Sequence, residues 1–223
     1  MTTFRFRLLL AVAAVGGVAL VASGLSAAEE KEKGFVSLFN GKDLTGWEGS
    51  TKGYVVENGI IVCKKEGGGN LWTTKEFSDF DLKFEFRLTP GANNGLGIRM
   101  APNAHAAYQA MELQILDNTA EQYAKLQPYQ YHGSVYGVVP AKRGHLKPVG
   151  EWNQQEVIAR KGRIQVILNG TTIVDADVWK IDPEKTMDHR PHPGLHNKKG
   201  HIGFLGHGTH VEFRNLRVKE LAQ

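Results

Sequence analysis

The stretch Asp81–Leu88 reads D-L-K-F-E-F-R-L. Leu82, Phe84, Phe86 and Leu88 take every second position, and Asp81, Lys83, Glu85 and Arg87 fill the gaps. Successive side chains of a strand point to opposite faces, so a strand gathers these residues into one apolar and one charged face. A helix would scatter the same apolar residues around its circumference. The chain must therefore build a sheet with one buried face. Gly95–Asp117 alternates in the same way, in two pieces, G-L-G-I-R-M and M-E-L-Q-I-L-D. Met111, Leu113 and Ile115 share one face, and Glu112 and Gln114 share the other. Arg99 falls opposite Leu96 and Ile98, after Gly95 and Gly97, whose missing side chains leave open space above the sheet.

Turn signals divide the remainder into short strands. Tyr54–Glu57 and Ile60–Lys64 meet at Asn58-Gly59, and Arg163–Asn169 and Thr171–Asp175 meet at Asn169-Gly170; Asn-Gly is a strong hairpin cue. Val135–Val138, Glu151–Arg160 and His201–Leu205 read as strands. In His210–Glu220, Val211 and Phe213 hold one phase and Leu216 and Val218 the other, which predicts a β-bulge near Arg214-Asn215. Gly67–Asn70 reads as a glycine loop without the lysine of a phosphate loop. Asn118–Gly133 is long, irregular and tyrosine-rich, as a binding loop would be. Nothing shows sustained 3.6-residue periodicity. The expectation is an all-β sandwich in a single domain, and 223 residues at 41% hydrophobic content suffice for one core.

Arg5 and Arg7 precede the apolar run Leu8–Val21, and Ser26-Ala27-Ala28 has the small residues of a cleavage site. Residues 1–28 read as a secretory signal peptide, with a retained membrane anchor as the alternative. The expected mature domain is 29–223, exported to the periplasm or the extracellular space, with no membrane span after processing. Losing Arg5 and Arg7 lowers the formal charge from +4 to about +2, and no basic stripe with interleaved aromatics remains for nucleic acid. The single cysteine, Cys63, precludes an intrachain disulfide and sits where it fills core space.

Taken in order, Gly34–Trp47 (G-F-V-S-L-F-N-G-K-D-L-T-G-W), Asp79–Leu88, Asn93–Arg99 (N-N-G-L-G-I-R), Met111–Asp117, Gly150–Asn153, Leu168–Gly170 and Val211–Leu216 resemble the 3-keto-disaccharide hydrolase family. The resemblance implies a concanavalin A-like jelly-roll β-sandwich acting on glycosides whose sugar is oxidised to a ketone at C3. It also implies that Glu112 and Gln114 lie in the concave groove. Where the family commonly has a glutamine, in L-Q-x-H-G, this chain has F-L-G-H-G with Leu205.

Candidate site residues follow. Glu112 and Gln114 share a face, and a carboxylate beside an amide suits sugar hydroxyls or proton transfer; a solvated face is the plainer alternative. His207, on a turn between two glycines, suits a base, an acid or a metal ligand. Glu112, His207 and Asp117 are the expected catalytic groups, although Asp117 also reads as a cap for the turn at Asn118. Arg99, Gln114, Tyr108 and Trp152 are expected to bind substrate, Arg99 through its guanidinium, with an ion pair to Glu112 as its structural alternative. His189, His192 and His196, with Asp188, sit in a proline-broken loop that does not form a ready zinc site. A divalent cation remains a possible cofactor, and the expected partner is a carbohydrate. A non-catalytic carbohydrate-binding module is the competing reading. It would show a groove of tryptophans rather than a convergent Glu/His/Arg set.

Overall fold

The structure, a computed structural model, describes residues 32–222. The segment read as a signal peptide lies outside them. The described strands belong to one unit, Lys33–Gln223. In chain order they are β1 (Val36–Ser37), β2 (Trp47–Gly49), β3 (Tyr54–Glu57), β4 (Ile60–Cys63), β5 (Gly68–Phe77), β6 (Phe80–Leu88) and β7 (Asn93–Met100). A one-turn helix, α1 (Ala106–Gln109), precedes β8 (Met111–Leu116). Then come β9 (Trp152–Arg160), β10 (Arg163–Leu168), β11 (Thr171–Asp177), β12 (Gly200–His207) and β13 (Val211–Glu220).

The strands form two antiparallel sheets. One runs β11-β10-β9-β6-β13-β4-β3, with β1 added to β13; the other runs β2-β5-β12-β7-β8. This is an all-β, two-sheet sandwich of the concanavalin A or jelly-roll kind. Strand β6 behaves as its alternation requires: Phe80, Leu82, Phe84, Phe86 and Leu88 are buried, and the residues between them are half-exposed. Phe204 of the five-stranded sheet stacks on Phe213 of the other sheet at 3.7 Å and meets the edge of Phe84 at 6.0 Å. Trp47 stacks on the same ring at 5.8 Å. Each such buried ring contributes about 1.5–3 kcal/mol, which makes Phe204 the rivet between the layers.

Local sequence explains most connections. Asn58 and Gly59, and likewise Asn169 and Gly170, take positive φ, as the tight hairpin turn demands. The bulge in β13 falls between Arg214 and Arg217, with Asn215 at φ 53°, and it turns both Phe213 and Leu216 into the core. Two expectations change. Val135–Val138 is no strand: Gly133 and Gly137 turn the chain, leaving only isolated bridges from Val135 to Leu113 and Val139. The glycine stretch is no loose loop either, because Gly68 opens β5 and lies against Gly206 of β12, where an added Cβ would sit 2.8 Å from the backbone.

Candidate functional site

Five-stranded sheet and loops together form an open cleft of about 310 Å³ on the sheet's outer face. Strand β8 supplies its floor. Its alternation sends Met111, Leu113 and Ile115 inward and Glu112 and Gln114 outward, yet all six of its residues are buried because the cleft walls cover the outer face. Glu112 lies across bare backbone: a Cβ added to Gly95 would stand 2.2 Å from Glu112 Oε1. The glycine therefore opens the space that the carboxylate fills. No hydrogen bond from the described residues reaches that carboxylate. Its ionisable neighbour is His207, with Nε2 4.0 Å from Oε1, too long for a direct hydrogen bond. His207 is half exposed and Glu112 only 8% exposed, so the pair has an open member and a sheltered one.

The flanking groups are polar and aromatic. Gln114 donates through Nε2 to Asn93 Oδ1 (3.0 Å), and Asn93 is held by two hydrogen bonds to Thr209. Tyr136 accepts from Gln130 Nε2 at 3.0 Å. Burial pushes the Tyr136 phenol above its ordinary range; Gln130 pulls it back, and the nearby Tyr108, Glu112 and Tyr129 add to the rise. Tyr136 thus stays a neutral donor at the edge of the cleft. Arg190 reaches in from the Pro- and His-rich loop and donates to the Tyr108 hydroxyl at 2.9 Å. Tyr108 packs between the rings of His105 and His192. His192 in turn forms a buried pair with Asp188 at 3.1 Å, and Asp188 also accepts from the Arg190 backbone N–H. This histidine and aspartate brace a wall. His196 instead faces the carbonyls of Val178 and Ile181.

Glu112, His207, Gln114 and Tyr108 are therefore brought together. Arg99, Asp117 and Trp152 are not. Arg99 stands at a bulge: Ile98 and Arg99 of β7 oppose Ile202 alone on β12, and Arg99 takes φ 51°. The extra residue breaks the alternation. It sends the guanidinium to the sheet's end, fully buried, where Asp79 pairs with it at 3.1 Å and the carbonyls of Ser78, Lys161 and Asn197 also accept from it. The expected substrate role gives way to the structural alternative, a buried ion pair, but with Asp79 rather than Glu112. Asp117 caps its loop: Oδ2 accepts from Gly91 N–H, and Oδ1 accepts from the Thr119 N–H and hydroxyl. Trp152 lies on the other sheet, with the guanidinium groups of Arg214 (3.9 Å) and Arg87 (4.9 Å) over its ring.

Asn93, Tyr136, Gln130 and Arg190 escaped the sequence reading. Asn93 was signalled by the N-N-G motif, and Arg190 by a loop long enough to reach the groove. Tyr136 carried no local signal, because its place depends on where residues 131–139 cross the edge of β8. Among the described residues no group of three or more His, Cys, Asp or Glu side chains gathers as a metal site. A divalent cation in the cleft would find Glu112 and His207 as its protein ligands, with its remaining positions left to water or substrate oxygens.

The 3-keto-alpha-glucoside-1,2-lyase-like domain profile matches residues 34–219, nearly the whole described chain. This chain belongs to that family. A 3-keto-disaccharide hydrolase of Bacteroides thetaiotaomicron is 28% identical over 84% of this chain and 79% of that protein. Two crystal structures of candidate glycosyl hydrolases from Parabacteroides distasonis superpose at TM-scores of 0.76 and 0.72, each 26% identical. They cover 84% and 85% of this chain, and 99% and 95% of their own. The cleft thus sits on a family scaffold of sugar-processing sandwiches. Among the described residues no helix is long and apolar enough to cross a membrane.

Proposed function

We propose that this protein cleaves glycosides whose sugar carries a ketone at C3, with Glu112 and His207 as the proton-transfer pair. The observation that carries the reading is Glu112 itself: a sheltered carboxylate with no hydrogen-bond partner among the described residues, facing an imidazole across 4.0 Å in an open cleft. Leaving a buried charge unsatisfied is costly, so such a group points to a task. The activity named for the Bacteroides relative supplies the substrate class.

The C3 carbonyl acidifies the proton on C2. Glu112 removes that proton, and the C2–H electrons form the enolate. The enolate then expels the C1 oxygen and leaves a C1–C2 double bond conjugated to the ketone. His207 gives a proton to the departing oxygen. Water adds its hydroxyl to C1, C2 regains a proton, and the free 3-keto sugar results. Tyr136 and Arg190 replace Arg99 as donors for the enolate oxygen. A positioned base of this kind contributes about 10²–10⁴-fold. Direct hydrolysis by two carboxylates has less support, since Glu112 is the one acid among the described residues lining the cleft and Asp117 is spent on its loop.

The competing binding-module reading expects tryptophans in the groove, and none lines it among the described residues. The test is incubation of the purified protein with a 3-keto-glycoside and with its unoxidised parent, with and without chelator. Release of sugar from the keto substrate alone is the expected result, and loss of that release with chelator would assign a cation to the site. Tight binding without turnover of any keto substrate would sink the proposal in favour of a binding module.

A further inference from the structure

The outer face of the five-stranded sheet is only half open. On the β5–β12 side a second apolar cluster, separate from the main core, covers it: Trp72, Met100, Ala106, Ala110 and Leu205, all buried. Its seat is the facing glycine pair Gly97 and Gly203. A Cβ on Gly97 would stand 1.9 Å from the Met100 sulfur, and one on Gly203 would stand 2.9 Å from its methyl carbon. Met100 therefore fills the bare patch in the sheet. The bulge at Arg99 makes this possible, since it diverts the guanidinium away and lets the next side chain fold over the face.

The covering segment is fastened from both sides. Asn70 of β5 donates to Ala104 O at 3.3 Å, and Asn197 donates to Gln109 O at 3.1 Å. Gly194 lies so close to Gln109 that an added Cβ would meet its carbonyl carbon at 2.0 Å. This is a fixed plug, and Leu205 is its contribution from β12, two residues before His207 and on the same face.

We infer that this plug limits the substrate to glycosides with the keto sugar at a chain end. The inference rests on the proposed 3-keto-glycoside activity. A terminal keto sugar carries a substituent at C1 alone, whereas an internal one carries a second sugar and needs a groove open on both sides. Here the groove stops beside His207, and the remaining space lies near the small end of ligand pockets, about 300–1,000 Å³. Apolar side chains on the blocked side also offer no partner to the hydroxyls of a second sugar, so exclusion is both steric and polar.

The experiment compares kcat/KM for a 3-keto-disaccharide oxidised on its terminal sugar with that for a trisaccharide oxidised on its middle sugar. The wild type is expected to favour the terminal ketone by about 100-fold. The milder plug variant Leu205→Val, with its fold checked by thermal melting, is expected to narrow that ratio. Equal turnover of the two substrates would overturn the inference, as would a folded Leu205→Val with the wild-type ratio. If neither substrate is cleaved, the activity proposal fails on its own. Calorimetric binding of the same two saccharides then decides the plug: terminal-only binding supports it, and equal affinity rejects it.

Discussion

Glu112 and Arg99 sit on adjacent strands of one sheet, both buried, and they meet opposite fates. Arg99 has four acceptors, one of them the carboxylate of Asp79, and no route to solvent. Glu112 has no hydrogen bond from the described residues and an imidazole 4.0 Å away in a cleft. A buried charge must be compensated. Where the fold compensates it fully, the charge holds the sheet end together. Where the fold leaves it open, the missing partner is the one the proposed substrate would provide.

That contrast breaks most readily at Glu112. Glu112→Gln keeps the shape and removes the base, so turnover of a 3-keto-glycoside should drop by about 10²–10⁴-fold with little change in melting temperature. A large loss of stability with turnover intact would place Glu112 with the structural charges. Arg99→Met should do the reverse: it strands Asp79 and destabilises by about 3–5 kcal/mol in denaturant titration, while the folded fraction keeps its kcat.

His132 offers a third contrast, a buried titratable group outside the cleft. It packs on Phe86 at 5.0 Å, and burial pushes its imidazolium down to about 3 against a smaller upward pull from Gln155. Folded His132 thus stays neutral where the unfolded chain, near 6.5, takes up a proton. Its contribution is complete above 6.5 and falls by about 1.4 kcal/mol per pH unit as pH drops toward the folded value. His132→Gln should flatten this part of the stability–pH curve between 6.5 and 4; an unchanged slope would refute the assignment.

Asp117 gives the smallest expected effect. Burial alone would raise its carboxyl, but hydrogen bonds from Thr119, Gly91 and Ala120 outweigh it and hold the group below its ordinary value. Its stabilisation is present above the usual carboxylate range and is lost as pH falls through the depressed value. Asp117→Ala should cost about 1–2 kcal/mol, as for a lost cap, and leave kcat within a few-fold. A turnover loss matching that of Glu112→Gln would return Asp117 to the catalytic set.

Much of the sandwich was legible because its signals are local. The alternation of Asp81–Leu88, the two Asn-Gly turns and the phase slip before Leu216 each act within a few residues. Glu112 and Gln114 could be placed on one face for the same reason. Arg99 could not be placed, because Met100 alone follows the bulge in β7, and an apolar residue there fits the alternation of Leu96 and Ile98 and hides the slip. Trp152 resembled a sugar platform by residue type, but strand pairing put it on the opposite sheet beneath two arginines. Tyr136 and Arg190 enter the cleft through long loops, whose course is set by tertiary contacts such as the Asp188–His192 pair.

The central claim is that Glu112 removes the C2 proton of a 3-keto sugar while His207 protonates the departing oxygen. Turnover of a 3-keto-glycoside in D₂O, with the released sugar examined by NMR beside an enzyme-free control, tests it most directly. The account predicts deuterium at C2 in step with cleavage for the wild type, and loss of both in Glu112→Gln. Rapid cleavage that leaves hydrogen at C2 would contradict it.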